Sequence, residues 1–364
     1  TDTEVIIHAY EEYGTNCFNM FNGMWALCMY NIKDEKIILS RDRFRKKPLY
    51  YYQDEDKLIF ASEIKSIHEY SFNKTIDRDA LGYYLTFGYI PAPLSIFKKV
   101  KKVHQSHYLV YDLKQKKIEC EKPYWNLETF YRKEKNGDMN FCINKIRELV
   151  DESVKIRLMA DVPVGCFLSG GLDSSSTVAT AMKYKELIGG DVKTFSIGFD
   201  YGEYDETKYA ERMAEYLGTN HKTKVLEEKE AFKIFNNLAH YYDEPFADSS
   251  MIPTYSVSEL ARKDVTVSIS GDAGDENYGG YQTYVLYRYL QLTNKLLPNC
   301  VSNILKKISS SSLRVMPSFL KSQKLLVGLN AFDYLGHPEY RIFAKIRSQS
   351  GQYSFSPDSL EIDK

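Results

Sequence analysis

The sequence predicts an α/β protein with two kinds of sheet, an antiparallel one early in the chain and a parallel one later. In residues 18–62, short apolar runs at intervals of about ten residues alternate with polar turns, as in antiparallel hairpins. From residue 141 onward, apolar strands alternate with amphipathic helices, which is typical of a parallel sheet covered on both faces. Ligands of such sheets bind at the carboxyl ends of the strands.

The first part of the chain contains six predicted strands and then a polar stretch. The strands are 23–30, 36–40, 49–52, 58–61, 108–112 and 117–120, and the last two follow a Pro91-Ala92-Pro93 turn. The polar composition of this stretch predicts a linker. The chain is therefore divided into a domain at 1–122, a linker at 123–140 and a domain at 141–364.

The second part begins with apolar residues at every third or fourth position from Ile143 to Leu158, which predicts an amphipathic helix. Gly218 is predicted to end a later helix. Beyond Tyr281 the pattern predicts helix, with an exposed turn at 309–312. The remaining predicted elements are strands at 164–168, 194–199, 222–226 and 265–270, and helices at 174–187, 205–217, from Glu230, and at 253–263.

Composition excludes several classes of function. Among 364 residues, 48 are basic and 49 acidic, so the formal net charge of −1 gives no field to attract nucleic acid or anionic lipid. The apolar runs are shorter than the roughly 18 residues of a membrane span, and the first residues do not resemble a signal peptide. The six cysteines lack zinc-binding spacing. We expect a cytoplasmic protein without nucleic-acid or membrane partners.

The most informative motif follows the predicted strand 164–168. The chain breaks into Ser169-Gly170-Gly171 and resumes as a helix start that carries Asp173 and serines. Backbone N–H groups at such a turn bind anions, and a phosphate is the expected ligand. The Walker pattern is excluded because no lysine follows the glycines.

A carboxylate beside phosphates needs a bridging cation, so Asp173 is predicted as a Mg²⁺ ligand. A glycine turn with serine caps is the structural alternative.

A second glycine turn with acidic residues, Ser270 to Glu276, follows the apolar strand that ends at Ile269. Alone, such a turn is more often a solvated loop, but here it comes at the same predicted edge of the sheet as the first motif. Two carboxylates from separate strand ends can hold one Mg²⁺ on the β- and γ-phosphates of a nucleotide, and Asp173 and Asp275 are the predicted pair. Asp272 is the candidate general base for an attacking amine.

These motifs carry a family resemblance. The Ser169–Ser175 motif resembles the pyrophosphate loop of ATP pyrophosphatases, and with the second turn the chain resembles bacterial-type glutamine-hydrolysing asparagine synthetase over nearly its whole length. Further segments that resemble this family are 22–26, 41–44, 47–51 and 60–65 in the first half, and 195–199 and 243–248 in the second.

The resemblance implies part of an N-terminal-nucleophile glutaminase domain with antiparallel sheets, joined to a parallel-sheet ATP-pyrophosphatase domain of the adenine nucleotide α-hydrolase type. It implies a ligase with ATP and Mg²⁺ as cofactors that converts aspartate to β-aspartyl-AMP and pyrophosphate. Ammonia, released from glutamine, then displaces AMP to give asparagine. It also suggests a homodimer.

Site residues follow from the resemblance position by position. Asp272 stands where the family has glutamate, and its arm, shorter by one methylene, would need a water or a closer backbone. Asp2 matches an aspartate that binds the amino group of glutamine, while Asp173 and Asp275 match metal ligands. The residues assigned to ATP and pyrophosphate are Phe167, Ser169, Gly170, Gly171, Asp173, Ser174, Ser175, Ile197, Ser270 and Gly271.

Several expected family features have no counterpart. Residue 1 is Thr1 rather than the family's catalytic cysteine, and the family's late catalytic lysine segment is missing. We interpret Thr1 to Ile6 as an internal stretch rather than a threonine nucleophile, which predicts a chain truncated at both ends and without glutaminase activity. Two alternatives stay open: amidation of another carboxylate, such as a sugar acid or a peptide, and a non-catalytic relic.

Overall fold

The computed structural model describes residues 1–70, 73–131, 137–200 and 206–281, with 284, 285 and 288. The chain divides into two units, and each unit consists of two separate stretches of the chain. The first comprises Thr1–Asn136 and Leu238–Ala247, and the second Gly137–Asn237 and Asp248–Lys364. The predicted helical region beyond Tyr281 lies outside the described residues except for a few positions, and the predicted turn at 309–312 lies entirely outside them.

The first unit begins with helix α1 (Asp2–Tyr13), which starts at a capping box between Thr1 and Glu4 and is followed by a 3₁₀ helix, Gly14–Asn19. Its strands pair antiparallel in two sheets, ordered β1-β2-β6-β7 and β4-β3-β5. The strands are β1 (Ala26–Asn31), β2 (Lys36–Arg41), β3 (Tyr50–Gln53), β4 (Leu58–Ala61), β5 (Val100–Lys102), β6 (His107–Asp112) and β7 (Lys117–Pro123), and the further helices are α2 (Ile64–His68), α3 (Arg78–Phe87) and α4 (Glu128–Tyr131).

A buried charged pair, Arg41 and Asp42, organises the loop that leaves β2. The Asp42 carboxylate accepts hydrogen bonds from the amides of Phe44, Lys46 and Lys47 at 2.9–3.0 Å. The Arg41 guanidinium donates to the carbonyls of Lys47 and Val103, and its burial lowers its pKa to about 10. Both charges are thus satisfied by backbone groups, as buried charges must be.

The second unit is a parallel sheet in the order β10-β9-β8-β11, flanked by helices. Its elements are α5 (Met139–Leu158), β8 (Val164–Phe167), α6 (Leu172–Lys183), β9 (Lys193–Phe199), α7 (Thr207–Leu217), β10 (Asn220–Leu226), α8 (Glu228–Tyr241), α9 (Met251–Arg262), β11 (Val267–Ile269) and α10 (Gly274–Tyr278), with a 3₁₀ helix at Lys185–Ile188. Helix α8 starts in the second unit, and its last four residues belong to the first.

Apolar clusters lie on both faces of this sheet. On one face, Leu158 of α5 and Val178 of α6 pack with Cys166 of β8. On the other face, Phe195 of β9 packs with Ala261 and Val265, at the end of α9 and just after it. The predicted combination of antiparallel sheets and a covered parallel sheet is confirmed. No helix among the described residues has the length and apolar character needed to cross a bilayer.

The structure also contains helices that the sequence patterns did not predict. Helix α1 and helix α3 lie in segments with no predicted element. Apolar side chains in them, such as Ile7 of α1 and Leu85 of α3, are exposed. Helix α6 begins at Leu172, two residues before the predicted start, because Gly171 rather than a serine is its N-cap.

A network of hydroxyl groups surrounds His221 between β9 and β10. Its Nδ1 lies 2.9 Å from Thr194 Oγ1, and its Nε2 lies 3.2 Å from Ser196 Oγ and 3.1 Å from Thr223 Oγ1. Burial lowers the pKa of His221, and the charge of Glu211 opposes this only in part. The folded protein therefore favours the neutral imidazole.

This burial predicts a loss of stability in acid. Below the ordinary histidine pKa of about 6.5, the unfolded chain takes up a proton more readily than the folded one, so stability falls as the pH falls. We expect His221→Gln, which can keep hydrogen bonds, to show a smaller drop in melting temperature between about pH 7.5 and 5.5 than the wild type. His8→Gln, at an exposed position on α1, is the control; equal drops in all three proteins would contradict the prediction.

Candidate functional site

The turn between β8 and α6 depends on Gly170. This residue has a left-handed backbone with φ of 81°. A Cβ there would lie 2.5 Å from the carbonyl carbon of Tyr209 and 2.7 Å from the amide nitrogen of Ala210, both in α7. Any side chain would therefore strain the turn and push it away from α7.

Serine hydroxyls close this turn on itself. Ser174 Oγ accepts a hydrogen bond from the Ser169 amide at 3.2 Å, lies 2.9 Å from Ser169 Oγ and donates to the Gly171 carbonyl at 3.2 Å. The Gly171 amide donates to Ser169 Oγ at 3.3 Å. Because Gly171 supplies no side-chain cap, the amides of the first turn of α6 are left to another acceptor. Ser175 Oγ is buried and has no hydrogen-bond partner among the described residues.

The second glycine turn comes to the same edge of the sheet. Strand β11 pairs in parallel with β8, with Ile269 opposite Cys166, so their carboxyl ends are neighbours. A Cβ on Gly271 would lie 2.6 Å from the Ser174 amide nitrogen, which means that the second turn packs directly on the start of α6. Ala273 takes the left-handed conformation with φ of 75° and leads into α10.

Three carboxylates gather where the two turns meet. The Asp173 carboxylate occupies the space that a side chain on Gly274 would need, since a Cβ there would lie 2.6 Å from Asp173 Oδ1. Burial raises the pKa of Asp173, and the negative charges of Asp275 and Glu276 raise it further. The structure thus brings Asp173 and Asp275 together, with Glu276 as a third acid nearby. Such repulsion is relieved when a cation is bound.

These acids do not form a complete protein metal site. Within the described parts of the chain, no group of three or more histidine, cysteine or acidic side chains is arranged to hold a metal ion. Mg²⁺ commonly takes only one or two carboxylates and completes its shell with water and substrate phosphates. The donor set of two carboxylates beside free helix amides fits a Mg²⁺–nucleotide complex.

Phe167 and Ile197 lie at the carboxyl ends of β8 and β9. Phe167 packs with Phe195 and the residues of α9, and Ile197, two positions further along β9, lies on the same face as Phe195. On this face the strand ends therefore offer apolar surface, as a nucleobase requires.

A pocket of about 280 Å³ opens at the ends of β9 and β10. Its lining contains none of the residues that the sequence assigned to ATP, pyrophosphate or metal. The lining residues are Phe199, Asp200, Leu226, Glu228, Ala231, Ser249, Ile252 and Pro253.

The other predicted site residues lie as follows. Asp272 is exposed, and its carboxylate accepts a hydrogen bond from Ser270 Oγ at 2.8 Å. Asp2 is exposed in the first turn of α1, in the first unit, and accepts a hydrogen bond from the Thr3 amide at 2.8 Å. The roles of Asp272 and Asp2 stay predictions.

Sequence reasoning missed Glu276, although it follows Asp275 directly. Its carboxylate accepts a hydrogen bond from Tyr281 Oη at 2.9 Å, and this bond, with burial, raises the pKa of Tyr281 to about 12. The sequence signal for Glu276 was its position next to Asp275. Both residues lie in the first turn of the short helix α10, so their carboxylates are at the same end of it.

Comparisons with known proteins identify two regions. A model of the asparagine synthase family matches residues 145–351, and a glutamine amidotransferase domain model matches residues 1–125. The chain is 43% identical to a putative glutamine-hydrolyzing asparagine synthetase 2 of Methanocaldococcus jannaschii, over 78% of this chain and 55% of that protein. It is 32% identical to glutamine-hydrolyzing asparagine synthetase 1 of Bacillus subtilis, over 90% of this chain and 49% of that protein.

A more distant relative carries a different name. The chain is 30% identical to the amidase chyE of Penicillium rubens, over 78% of this chain and 44% of that protein. The chain thus spans about half the length of the curated relatives it matches.

The packing of the two turns predicts that Gly271 cannot carry a side chain. In Gly271→Ala, the new methyl group would meet the backbone of Ser174 and push the turns apart. Small displacements of binding groups are costly, so we expect the affinity for Mg²⁺–ATP to fall by about tenfold or more in calorimetric titrations.

Gly82→Ala in α3 is the matched control, because a Cβ there meets nothing within 4 Å. Unchanged affinity in Gly271→Ala, with normal affinity in the control, would show that the contact between the turns does not shape the site.

Proposed function

The chain belongs to the asparagine synthase family, and from this premise we propose that it takes part in ATP-dependent amidation of aspartate to asparagine through β-aspartyl-AMP. Nitrogen would come from ammonia, which in the whole protein would be released from glutamine. The observation that carries the proposal is the meeting of Asp173 and Asp275 at adjacent strand ends, beside a turn with free amides.

The first step is activation of the acceptor. In the proposed arrangement, the amides at the start of α6 and the hydroxyls of Ser169 and Ser174 bind the β- and γ-phosphates. A carboxylate oxygen of aspartate attacks the α-phosphorus, the bond between that phosphorus and the bridging oxygen breaks, and pyrophosphate leaves. Mg²⁺, when bound by Asp173 and Asp275, would neutralise the charge of the leaving pyrophosphate.

The second step is aminolysis. Ammonia attacks the activated carbonyl carbon, AMP leaves, and Asp272 accepts the proton released from nitrogen. Asp272 is exposed and bonded to Ser270 Oγ, so it can reach a ligand at the strand ends without disturbing the core. Phe167 and Ile197, with the main chain of Ser270 and Gly271, would hold the nucleoside.

In the whole protein, the first unit would belong to the part that releases ammonia from glutamine. Its match to a glutamine amidotransferase domain supports this role, and Asp2 is the proposed contact for the amino group of glutamine.

A second candidate is amidation of a different carboxylate by the same chemistry. The similarity to the amidase chyE is the observation that favours it. Measuring pyrophosphate release with aspartate, sugar acids and acidic peptides in parallel separates the two candidates, because only the true acceptor should stimulate release.

Removal of either metal-binding carboxylate should abolish activation. We expect Asp173→Asn and Asp275→Asn to slow aspartate-dependent exchange of pyrophosphate into ATP by about a hundredfold or more, because the charge of the leaving group is no longer neutralised. Both variants should melt at or above the wild-type temperature, since a repelling charge is lost. Exchange at the wild-type rate in either variant would contradict the assignment.

Asp272 should act only after activation. We expect Asp272→Asn to keep most of the pyrophosphate exchange while asparagine formation falls by about tenfold to a hundredfold, in the range of a lost general base. Asp272→Glu restores the longer arm of the family and should keep amide formation. Equal losses of exchange and amide formation in Asp272→Asn would argue against a role as base.

A further inference from the structure

The turn between β8 and α6, residues 169–171, is here termed the phosphate turn, and it has a different neighbour on each side. Strand β8 lies between β9 and β11 in the parallel sheet. The glycine turn after β11 brings Asp275 close to Asp173 on one side. Helix α7, which follows β9, packs on the phosphate turn at Gly170. The acids therefore come from the β11 side, and α7 comes from the β9 side.

Tyr209, in the first turn of α7, lies directly against the phosphate turn. A Cβ on Gly170 would lie 2.6 Å from the Tyr209 Cβ and 2.5 Å from the Tyr209 carbonyl carbon. Because Gly170 has no side chain, the stem of the tyrosine can approach the turn this closely. The Tyr209 side chain thus starts at the phosphate turn itself.

The direction of α7 determines where this side chain leans. Helix α7 connects β9 to β10, which pair in parallel, so it begins at the carboxyl ends of the strands. Side chains of an α-helix lean towards its N-terminus. Tyr209 therefore leans towards the sheet edge that carries the phosphate turn.

The Tyr209 ring is largely free. The residue is 67% exposed, and within the part of the chain that the structure describes its side chain makes no hydrogen bond or ring contact. A phenol hydroxyl can both donate and accept a hydrogen bond. The fold thus leaves a hydrogen-bond donor unused beside the phosphate turn.

Bound phosphates would need such a donor on the β9 side. On the β11 side, Mg²⁺ held by Asp173 and Asp275 would neutralise the phosphate oxygens that it contacts. Oxygens that face α7 would still carry negative charge, and hydrogen bonds to charged oxygens are stronger than those between neutral groups. Tyr209 is the residue of α7 whose Cβ contacts the phosphate turn, and its hydroxyl is free to donate.

We propose that Tyr209 is a binding residue for the phosphates of the nucleotide. Its ring covers the phosphate turn from the β9 side, and its Oη donates a hydrogen bond to an oxygen of the β- or γ-phosphate, and so to the pyrophosphate that leaves. The inference rests on the proposed function for the identity of the ligand, which is a magnesium complex of ATP or of pyrophosphate.

The first test is calorimetric titration of the full chain with Mg²⁺–pyrophosphate, which requires no turnover. We expect Tyr209→Phe, which keeps the ring, to weaken binding by about tenfold, because a hydrogen bond to a charged oxygen is lost. The melting temperature without ligand should not change, since the hydroxyl has no partner among the described residues.

Tyr216→Phe is the matched control. Tyr216 is 82% exposed and lies seven residues further along α7, on the same face but about two turns away from Gly170. This variant should bind Mg²⁺–pyrophosphate with wild-type affinity.

The second test measures protection of the hydroxyl in the wild type. N-acetylimidazole acetylates accessible phenol groups, and tryptic cleavage after Lys208 and Arg212 places Tyr209 and Tyr216 in different peptides. Saturating Mg²⁺–pyrophosphate should slow acetylation of Tyr209 by about fivefold or more, because a hydroxyl that is bonded and covered by ligand reacts less readily. Acetylation of Tyr216, measured by mass spectrometry in the same sample, should proceed at the same rate with and without ligand.

Wild-type affinity in Tyr209→Phe, or acetylation of Tyr209 that bound Mg²⁺–pyrophosphate does not slow, would overturn the proposal. An equal loss of affinity in Tyr216→Phe would also overturn it, because the effect would then not depend on the contact with the phosphate turn. If the wild type binds neither Mg²⁺–pyrophosphate nor Mg²⁺–ATP, the proposed function fails and this inference fails with it. Binding by the wild type together with an unaltered Tyr209→Phe rejects the inference alone.

Discussion

The contact between two glycine turns is the constraint on which the candidate site depends. Strands β8 and β11 are neighbours in a parallel sheet, so the turns that follow them are forced to the same edge. Gly271 lets the second turn pack directly on the backbone at the start of α6, and Gly274 leaves room for the Asp173 carboxylate. The result is a close group of acids, Asp173, Asp275 and Glu276, in which the charges of Asp275 and Glu276 raise the pKa of Asp173. A fold accepts such a cost where a ligand relieves it.

Local sequence signals predicted this part of the molecule well. The strand that ends at Phe167, the Ser-Gly-Gly turn and the acids after Ile269 are each determined within a few residues, and parallel topology brings the ends of neighbouring strands together. Glu276 was missed because the pattern gave no reason to choose between two adjacent acids. The early start of α6 was missed because Ser174 bonds back into the turn instead of capping the helix.

The division of the chain could not be predicted by the same means. Asp243 caps helix α2, and Glu244 pairs with the buried Lys102, which is far away in the chain. Nothing in the local sequence distinguishes these two acids from an exposed acidic pair. Such contacts depend on long-range packing, which periodicity does not report.

Helix α8 and residues Leu238–Ala247, which belong to the first unit, affect how the protein can be dissected. A single cut near Gly137 would separate the chain into two pieces, yet the first piece would lack the carboxylates that cap α2 and pair with Lys102. In the first piece, Lys102 would be buried without a counter-ion. In the second piece, Asp243 and Glu244 would have lost their partners. Independent expression of the first unit therefore requires a composite gene, in which residues 238–247 are grafted back onto residues 1–136.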